Sequence, residues 1–291
     1  MFTRARARFI PANWASPASP ASPASLANLA NWLPSQCEVC RRWNPERLCA
    51  DCRARHAAPC PRCVRCGLRT GLVVAACGEC LRDSPPFHRT HCAVDYAFPW
   101  AQLLQAFKFE GHEDLARPLA QMLAQAVRQD RDVLGDRTAE AGTAGGPAAL
   151  PDLLLPVPLS SERLRQRGYN QAWELARRLG PMLQLPARAD LLQRSQHGAA
   201  QSGLSREQRQ RNLGRAFQVP AAATAVLAGR HVALVDDVMT TGATARAAAA
   251  VLIGAGVASV EVWVLARTPS PSLSPSPSPS PSDSASSAPG A

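Results

Sequence analysis

Lysine is almost missing from this chain: Lys108 is the only one, although 32 basic side chains give a formal net charge of +10. The positive charge therefore belongs to arginine, whose planar fork stays ionised at any physiological pH. Arginine, alanine and proline enriched together fit a GC-rich coding sequence better than a special ligand. A basic chain favours anionic partners, phosphates or nucleic acid, without choosing between them. No run of 18 or more apolar residues occurs, which excludes a transmembrane helix. The first 33 residues hold arginines but no unbroken apolar core, because Pro, Ser and Asn interrupt them. They are expected to be a disordered extension rather than a secretory signal, and the expected compartment is the cytoplasm. The GxxxxGK[ST] phosphate loop is absent too, which excludes the commonest nucleotide-binding motif.

What is present is unevenly placed. Nine of the ten cysteines fall between Cys37 and Cys80, and the tenth is Cys92. They form four CxxC pairs: Cys37 and Cys40, Cys49 and Cys52, Cys63 and Cys66, Cys77 and Cys80. In a reducing compartment disulfides do not persist, and two thiolates per tight turn, two turns per ion, is the spacing that holds tetrahedral zinc. The simplest pairing makes one site from the first two pairs and a second from the last two. Crossed pairings, an iron–sulfur cluster and metal-free packed thiols remain open. Cys60 is left over and competes with Cys66, while Cys92 sits in an apolar, strand-like run and reads as core. Residues 34–90 are thus expected to form a zinc-ribbon module too small to build a core without metal. Arg41, Arg42, Arg47, Arg53, Arg55, Arg62, Arg65 and Arg69 stud this window beside Trp43. They suit either a nucleic-acid contact, with the indole as a stacking surface, or a solvated face.

From residue 91 the pattern changes to strands alternating with helices, which argues for a parallel α/β sheet. Strands are predicted at 92–98, 153–157, 188–193, 231–235 and 259–267. Helices are predicted around Leu103, Leu104 and Phe107, over 113–128, and from the loop after Pro158 to about 180. Residues 131–150 read as a flexible insert, and the Ser/Pro-rich residues 269–291 as a disordered tail. The stretch VALVDDVMTTGATA, residues 232–245, carries the chemistry. A buried strand ends in Asp236 and Asp237, then Thr240, Thr241, Gly242, Ala243 and Thr244 open an alanine-rich helix. Free backbone N–H groups at such a loop, joined by hydroxyls, form an anion site at the C-terminal end of a strand. Carboxylates repel phosphate, so the aspartates suit ribose hydroxyls or a phosphate-bound Mg²⁺.

This stretch resembles the PRPP-binding signature of type I phosphoribosyltransferases. The resemblance implies that Asp236 and Asp237 hold the ribose and that Thr240 to Thr244 cradle its 5′-phosphate. PVPLSSERLRQRGYNQ, residues 156–171, matches the family's pyrophosphate-contacting loop, which points to Arg163, Arg167 and Gly168, with Asn170 and Gln171 near the helix start. The arginine-rich 194–217 resembles the mobile hood that closes over PRPP, and would equally track a DNA backbone. Across roughly 37–268, the CxxC knuckles, FKFEGHEDLA, the PVPLSSERLRQRGYNQ loop, RSQHGAAQSGLSREQRQRNLGRAF and DDVMTTGAT together resemble the ComF family. That resemblance implies a zinc-bearing phosphoribosyltransferase-like protein that binds Mg²⁺-PRPP and single-stranded DNA, works with the DNA-uptake machinery at the inner membrane, and serves natural transformation. A homodimer would also fit such a domain. No acceptor site for phosphoribosyl transfer is legible, so the competing expectation is an active transferase of nucleotide metabolism with unknown acceptor.

Overall fold

A computed structural model describes residues 35–141, 150–195 and 216–269, with side chains omitted for 133–141. The chain divides into two compact units at the Cys49/Ala50 junction. In the first, β1 (Ser35–Gln36) and β2 (Trp43–Asn44) pair antiparallel. Glu38 binds both Arg41 and Arg47, which ties this short knuckle, and Leu48 beside it is fully buried.

The second unit opens with α1 (Ala50–His56) and α2 (Gly78–Arg82) and then builds a four-stranded parallel sheet. Its strands are β3 (Arg89–Asp95), β4 (Leu153–Pro156), β7 (His231–Met239) and β8 (Ser259–Arg267), in the spatial order β3-β8-β7-β4. The last-made strands occupy the middle, and their apolar runs are what a strand covered on both faces requires. Alternation then sorts the side chains. Val232, Leu234, Val260, Val262 and Val264 face the core that also takes Leu252 and the alanines of α8 (Ala243–Gly254). Ala233, Val235, Trp263 and Leu265 are buried as well and, by the same alternation, point to the opposite face. That face is covered by α4 (Ala116–Ala141) and α6 (Gln171–Leu183).

Several boundaries differ from expectation. The first strand begins at Arg89, because β3 pairs with β8 from Arg89↔Glu261 onward. After α3 (Trp100–Phe109), α4 does not stop near 128 but runs to Ala141, across the first part of the segment read as a loop. The helix expected to end near 180 is two helices, α5 (Ser161–Arg167) and α6. Gly168, at φ 79°, closes α5 in a left-handed cap that glycine adopts without strain. Asn170 then caps α6, accepting from the Ala172 N–H at 3.0 Å. The strand expected at 188–193 is reduced to β5 (Gln193–Arg194), which pairs with β6 (Phe217–Gln218) outside the main sheet. A short helix, α7 (Ala221–Leu227), leads into β7. Arg206, Arg209, Arg211 and Arg215 of the expected hood, and both tails, lie outside the described residues.

The second cysteine knuckle does not form a module apart from the sheet. Cys63, Cys66 and Cys80 belong to the same buried cluster as Cys92, Val262 and Val264. Backbone bonds fasten it there: Thr90 N–H to Val64 O at 2.9 Å and His88 N–H to Val260 O at 3.0 Å. Cys92 is core as expected, buried in β3 with its thiol donating to Val94 O at 3.1 Å.

Candidate ligand-binding site and cysteine knuckles

β7 does not end before the acidic pair. It runs through Asp236 and Asp237 to Met239, paired with β8 at Asp236↔Val264, Val238↔Ala266 and Met239↔Arg267. The aspartates therefore take their positions from a central strand rather than from a loop. Asp237 is buried, and Lys108 of α3 reaches its Oδ1 at 3.1 Å. Its other oxygen, Oδ2, is buried with no hydrogen-bond partner. Asp236 is half-buried and accepts the Asp237 N–H at 2.9 Å. Burial and then the neighbouring Asp237 charge push the Asp236 carboxyl up to about 7.

Thr240 and Thr241 follow, both exposed, and Gly242 turns the chain into α8 with φ 80°. Thr241 Oγ1 accepts the Ala243 N–H at 3.4 Å. The loop's backbone N–H groups and hydroxyls thus lie at the C-terminal edge of the sheet, the edge where open α/β sheets bind ligands. Ala243 and Thr244 form the first turn of α8 and stay partly accessible.

The β4 loop shares this edge, since Val157 N–H donates to Val235 O at 2.9 Å and Asn170 Nδ2 donates to Val157 O at 3.1 Å. Arg163 is exposed on α5, whose cap Ser160 accepts the Arg163 N–H at 3.3 Å. Arg167 donates to Gln171 Oε1 at 3.0 Å and lies over the Phe109 ring at 4.9 Å. Among the described residues no ion pair joins Arg163 or Arg167 to the acidic pair. The FKFEG and RGYNQ motifs, about sixty residues apart in sequence, meet here: Tyr169 donates to Phe107 O and Gln171 Nε2 to Lys108 O. Lys108, the one lysine of the chain, lies in the FKFEG motif, and the structure places it against Asp237.

The thiols gather as the simplest pairing expected. Cys63, Cys66, Cys77 and Cys80 place their sulfurs within 4.8 Å of one another, with Cys66 and Cys77 at 3.6 Å. Zn–S bonds of about 2.3 Å in a tetrahedron put sulfurs about 3.8 Å apart, so the spacing fits zinc. Cys77 N–H donates to Cys63 Sγ at 3.1 Å. Hydrogen bonds from the Cys66 side chain and, against burial, from backbone N–H groups bring the Cys63 thiol down to about 5, which favours the ligating thiolate. In the first unit, Cys40 and Cys49 sulfurs are 3.8 Å apart and Cys49 N–H donates to Cys37 Sγ at 3.4 Å. Burial opposes it, yet N–H groups of Cys40, Cys49 and Val39 hold Cys37 near 6. Cys52, the fourth thiol of that expected set, lies on α1 of the second unit and is buried. Among the described residues Cys60 joins neither set, and burial raises its thiol above the usual range.

Arg267, the last residue of β8, joins the second knuckle to the Thr/Gly loop. Its Nε donates to Cys66 O at 3.1 Å, and its Nη1 to Met239 O at 3.2 Å and to Thr240 O. Arg246 of α8 makes a second tie, to Asp83 O at 2.7 Å and Asp83 Oδ2 at 3.2 Å.

Comparison with known proteins fits this geometry. A phosphoribosyl transferase domain model matches residues 165–284. Competence protein F of Haemophilus influenzae is 35 % identical over 197 residues, covering 68 % of this chain and 80 % of that protein. The chain belongs to the ComF family. Two further ComF relatives are the DNA utilization protein YhgH of Escherichia coli K12 and the competence protein ComFC of Bacillus subtilis. The first is 32 % identical, over 73 % of this chain and 88 % of its own length. The second is 26 % identical, over 70 % of this chain and 77 % of its own length. The ComF chain thus carries a phosphoribosyltransferase-like parallel sheet with cysteine knuckles compatible with zinc. No helix among its described residues is long and apolar enough to cross a membrane.

Proposed function

We propose that this ComF protein binds Mg²⁺-PRPP at the C-terminal edge of β7 and single-stranded DNA through its basic surface, acting in DNA uptake in the cytoplasm. The observation that carries the PRPP reading is Asp237 Oδ2, a buried carboxylate oxygen without a partner beside an open Thr/Gly loop. Such an oxygen costs about 1–3 kcal/mol while unsatisfied, and a ribose hydroxyl would satisfy it. Asp236 and Asp237 hold the ribose, and Thr240, Thr241, Gly242, Ala243 and Thr244 hold its 5′-phosphate. Mg²⁺ enters with the ligand and offsets the pyrophosphate charge, with Arg163 and Arg167 on that side. Lys108 holds Asp237 in place. Zinc in the two cysteine sets serves structure only.

The names of the relatives support the DNA reading, as does Trp43, which is 71 % exposed among the exposed Arg41 and Arg42. A second reading, an active phosphoribosyltransferase of nucleotide metabolism, is favoured by the completeness of the same loop. Pyrophosphate release with a supplied acceptor distinguishes it.

Calorimetric titration of Mg²⁺-PRPP into the zinc-loaded protein tests the site. Micromolar binding is expected, and its loss in Asp236→Ala/Asp237→Ala. A folded wild-type protein that takes up no PRPP overturns the assignment.

A further inference from the structure

At the opposite end of the sheet, four strand-borne groups converge that neither the phosphate loop nor the knuckles use. His231 begins β7, Glu261 is the third residue of β8, and His91 is the third of β3, with His88 just before it. Asp236 is five residues along β7 from His231, about 17 Å at the strand rise. Glu261 and His91 are fully buried, His231 is 8 % exposed, and the His88 side chain is 20 % exposed.

A buried carboxylate surrounded by imidazoles ordinarily makes short hydrogen bonds to them. These do not. Glu261 Oε1 stands 3.5 Å from His88 Nε2 and 3.4 Å from His231 Nε2, and Oε2 stands 3.6 Å from His91 Nε2. Both ring nitrogens of His88, both of His231, and Nε2 of His91 are buried without a hydrogen-bond partner. Five such atoms in one place are unusual, because buried polar groups are nearly always paired. The distances are long for hydrogen bonds but suit ligands that share an ion: Zn–N and Zn–O bonds of 2.0–2.1 Å set tetrahedral neighbours about 3.3 Å apart.

The surroundings leave one coordination direction free. Glu261 Oε2 accepts from Trp263 Nε1 at 2.8 Å and from Arg131 Nη2 at 2.7 Å, which fills it. Oε1 accepts only Arg131 Nη2, at 2.8 Å, among the hydrogen bonds described, and it is the oxygen nearest His88 and His231. His91 Nδ1 lies 3.0 Å from Asp130 Oδ2, the carboxylate-to-imidazole contact that orients a ring beside a metal. Arg131 pairs with Glu261 and the buried Arg89 adds further positive charge here, which works against any cation and which the Glu261 carboxylate offsets.

We propose that His88, His231 and Glu261 form a third metal site in this protein, distinct from both cysteine sets, for a divalent transition-metal ion of the zinc class. Two imidazole nitrogens and one carboxylate oxygen select such an ion over Mg²⁺ or Ca²⁺. His91 stands beside the ion as its neighbour on Glu261. An ion here would pin β3, β7 and β8 together at their N-terminal ends, away from the ligand edge.

The test is a Co²⁺ titration of the untagged, full-length chain carrying only enough zinc to fill the two cysteine sets, followed by visible absorption. The expected result is one saturable equivalent with ligand-field bands and no thiolate charge-transfer band. That equivalent is lost in His88→Gln and in Glu261→Gln, while the zinc content of the cysteine sets stays unchanged. His88→Gln lies at the partly exposed rim, so it reports even where Glu261→Gln fails to fold. Absence of a saturable band in the wild-type protein overturns the proposal. So does a band carrying thiolate charge transfer, or one that persists in His88→Gln.

Discussion

Two adjacent aspartates on one strand end hold charge at unequal cost. Asp237 has Lys108, and Asp236 has burial and Asp237's charge against it, so its carboxyl rises to about 7. The sign follows from where the proton sits. Between the unfolded value and pH 7 the folded protein keeps a proton on Asp236 that the unfolded chain has lost, so rising pH removes stability across that window. Asp236→Asn is expected to melt higher than the wild-type protein at pH 8, with the gain shrinking as pH falls toward 4. Thermal melts across that range check it, and an unchanged gain at every pH would count against the assignment. PRPP affinity should move the other way, weakening as pH falls below about 7, because a protonated Asp236 accepts hydroxyl bonds poorly. Calorimetry at pH 6 and 8 reads that difference.

At the scale of elements, the second knuckle and the Thr/Gly loop share a single side chain. Arg267 donates to Cys66 O on one side and to Met239 O and Thr240 O on the other. Replacing it with Met takes one donor from each of the Cys66, Met239 and Thr240 carbonyls. Hydrogen bonds from a charged group are worth about 1.5–3 kcal/mol, which for a domain of this size is a melting-point loss of about 5–10 °C. Arg267→Met is expected to lose that much and to bind PRPP about tenfold more weakly, with its zinc retained. Stripping zinc with a chelator should weaken PRPP binding in the same direction. Unchanged PRPP affinity in Arg267→Met would reduce the tie to packing. Nothing in the sequence announces this link, because Cys66 and Arg267 are two hundred residues apart. What was legible was local: the CxxC spacing, the TTGAT loop after an apolar strand, the 259–267 strand. The Gly168–Asn170 break was written in cap residues but hidden inside a run with helical composition. The 188–193 strand failed because its partner β6 is short and lies apart from the main sheet. The His88, His231 and Glu261 group was invisible because pairing register, not spacing, assembles it.

For the whole molecule, the two ligands proposed above would meet different chemistry: PRPP a fixed loop, and single-stranded DNA an aromatic face and spread arginines. Stacking one base on an aromatic side chain is worth about 1–3 kcal/mol. Trp43→Ala is therefore expected to weaken binding of a short oligonucleotide about tenfold at fixed salt, and to leave PRPP affinity untouched. Fluorescence anisotropy across a salt series checks it, since phosphate contacts appear as a falling log K with log salt. An equal loss of both ligands would point to unfolding instead. The strand order has its own consequence. β3 is made first but pairs only with β8, the last strand made, and β4 waits for β7. During synthesis the early half of this domain therefore waits with an exposed, thiol-rich edge and no sheet to join. Folding is governed by contacts of long sequence separation, the slow and aggregation-exposed regime. A ribosome that stalls before residue 259 would leave the knuckle of Cys63 to Cys80 without its floor, so chaperone demand should be set by how soon β8 is made.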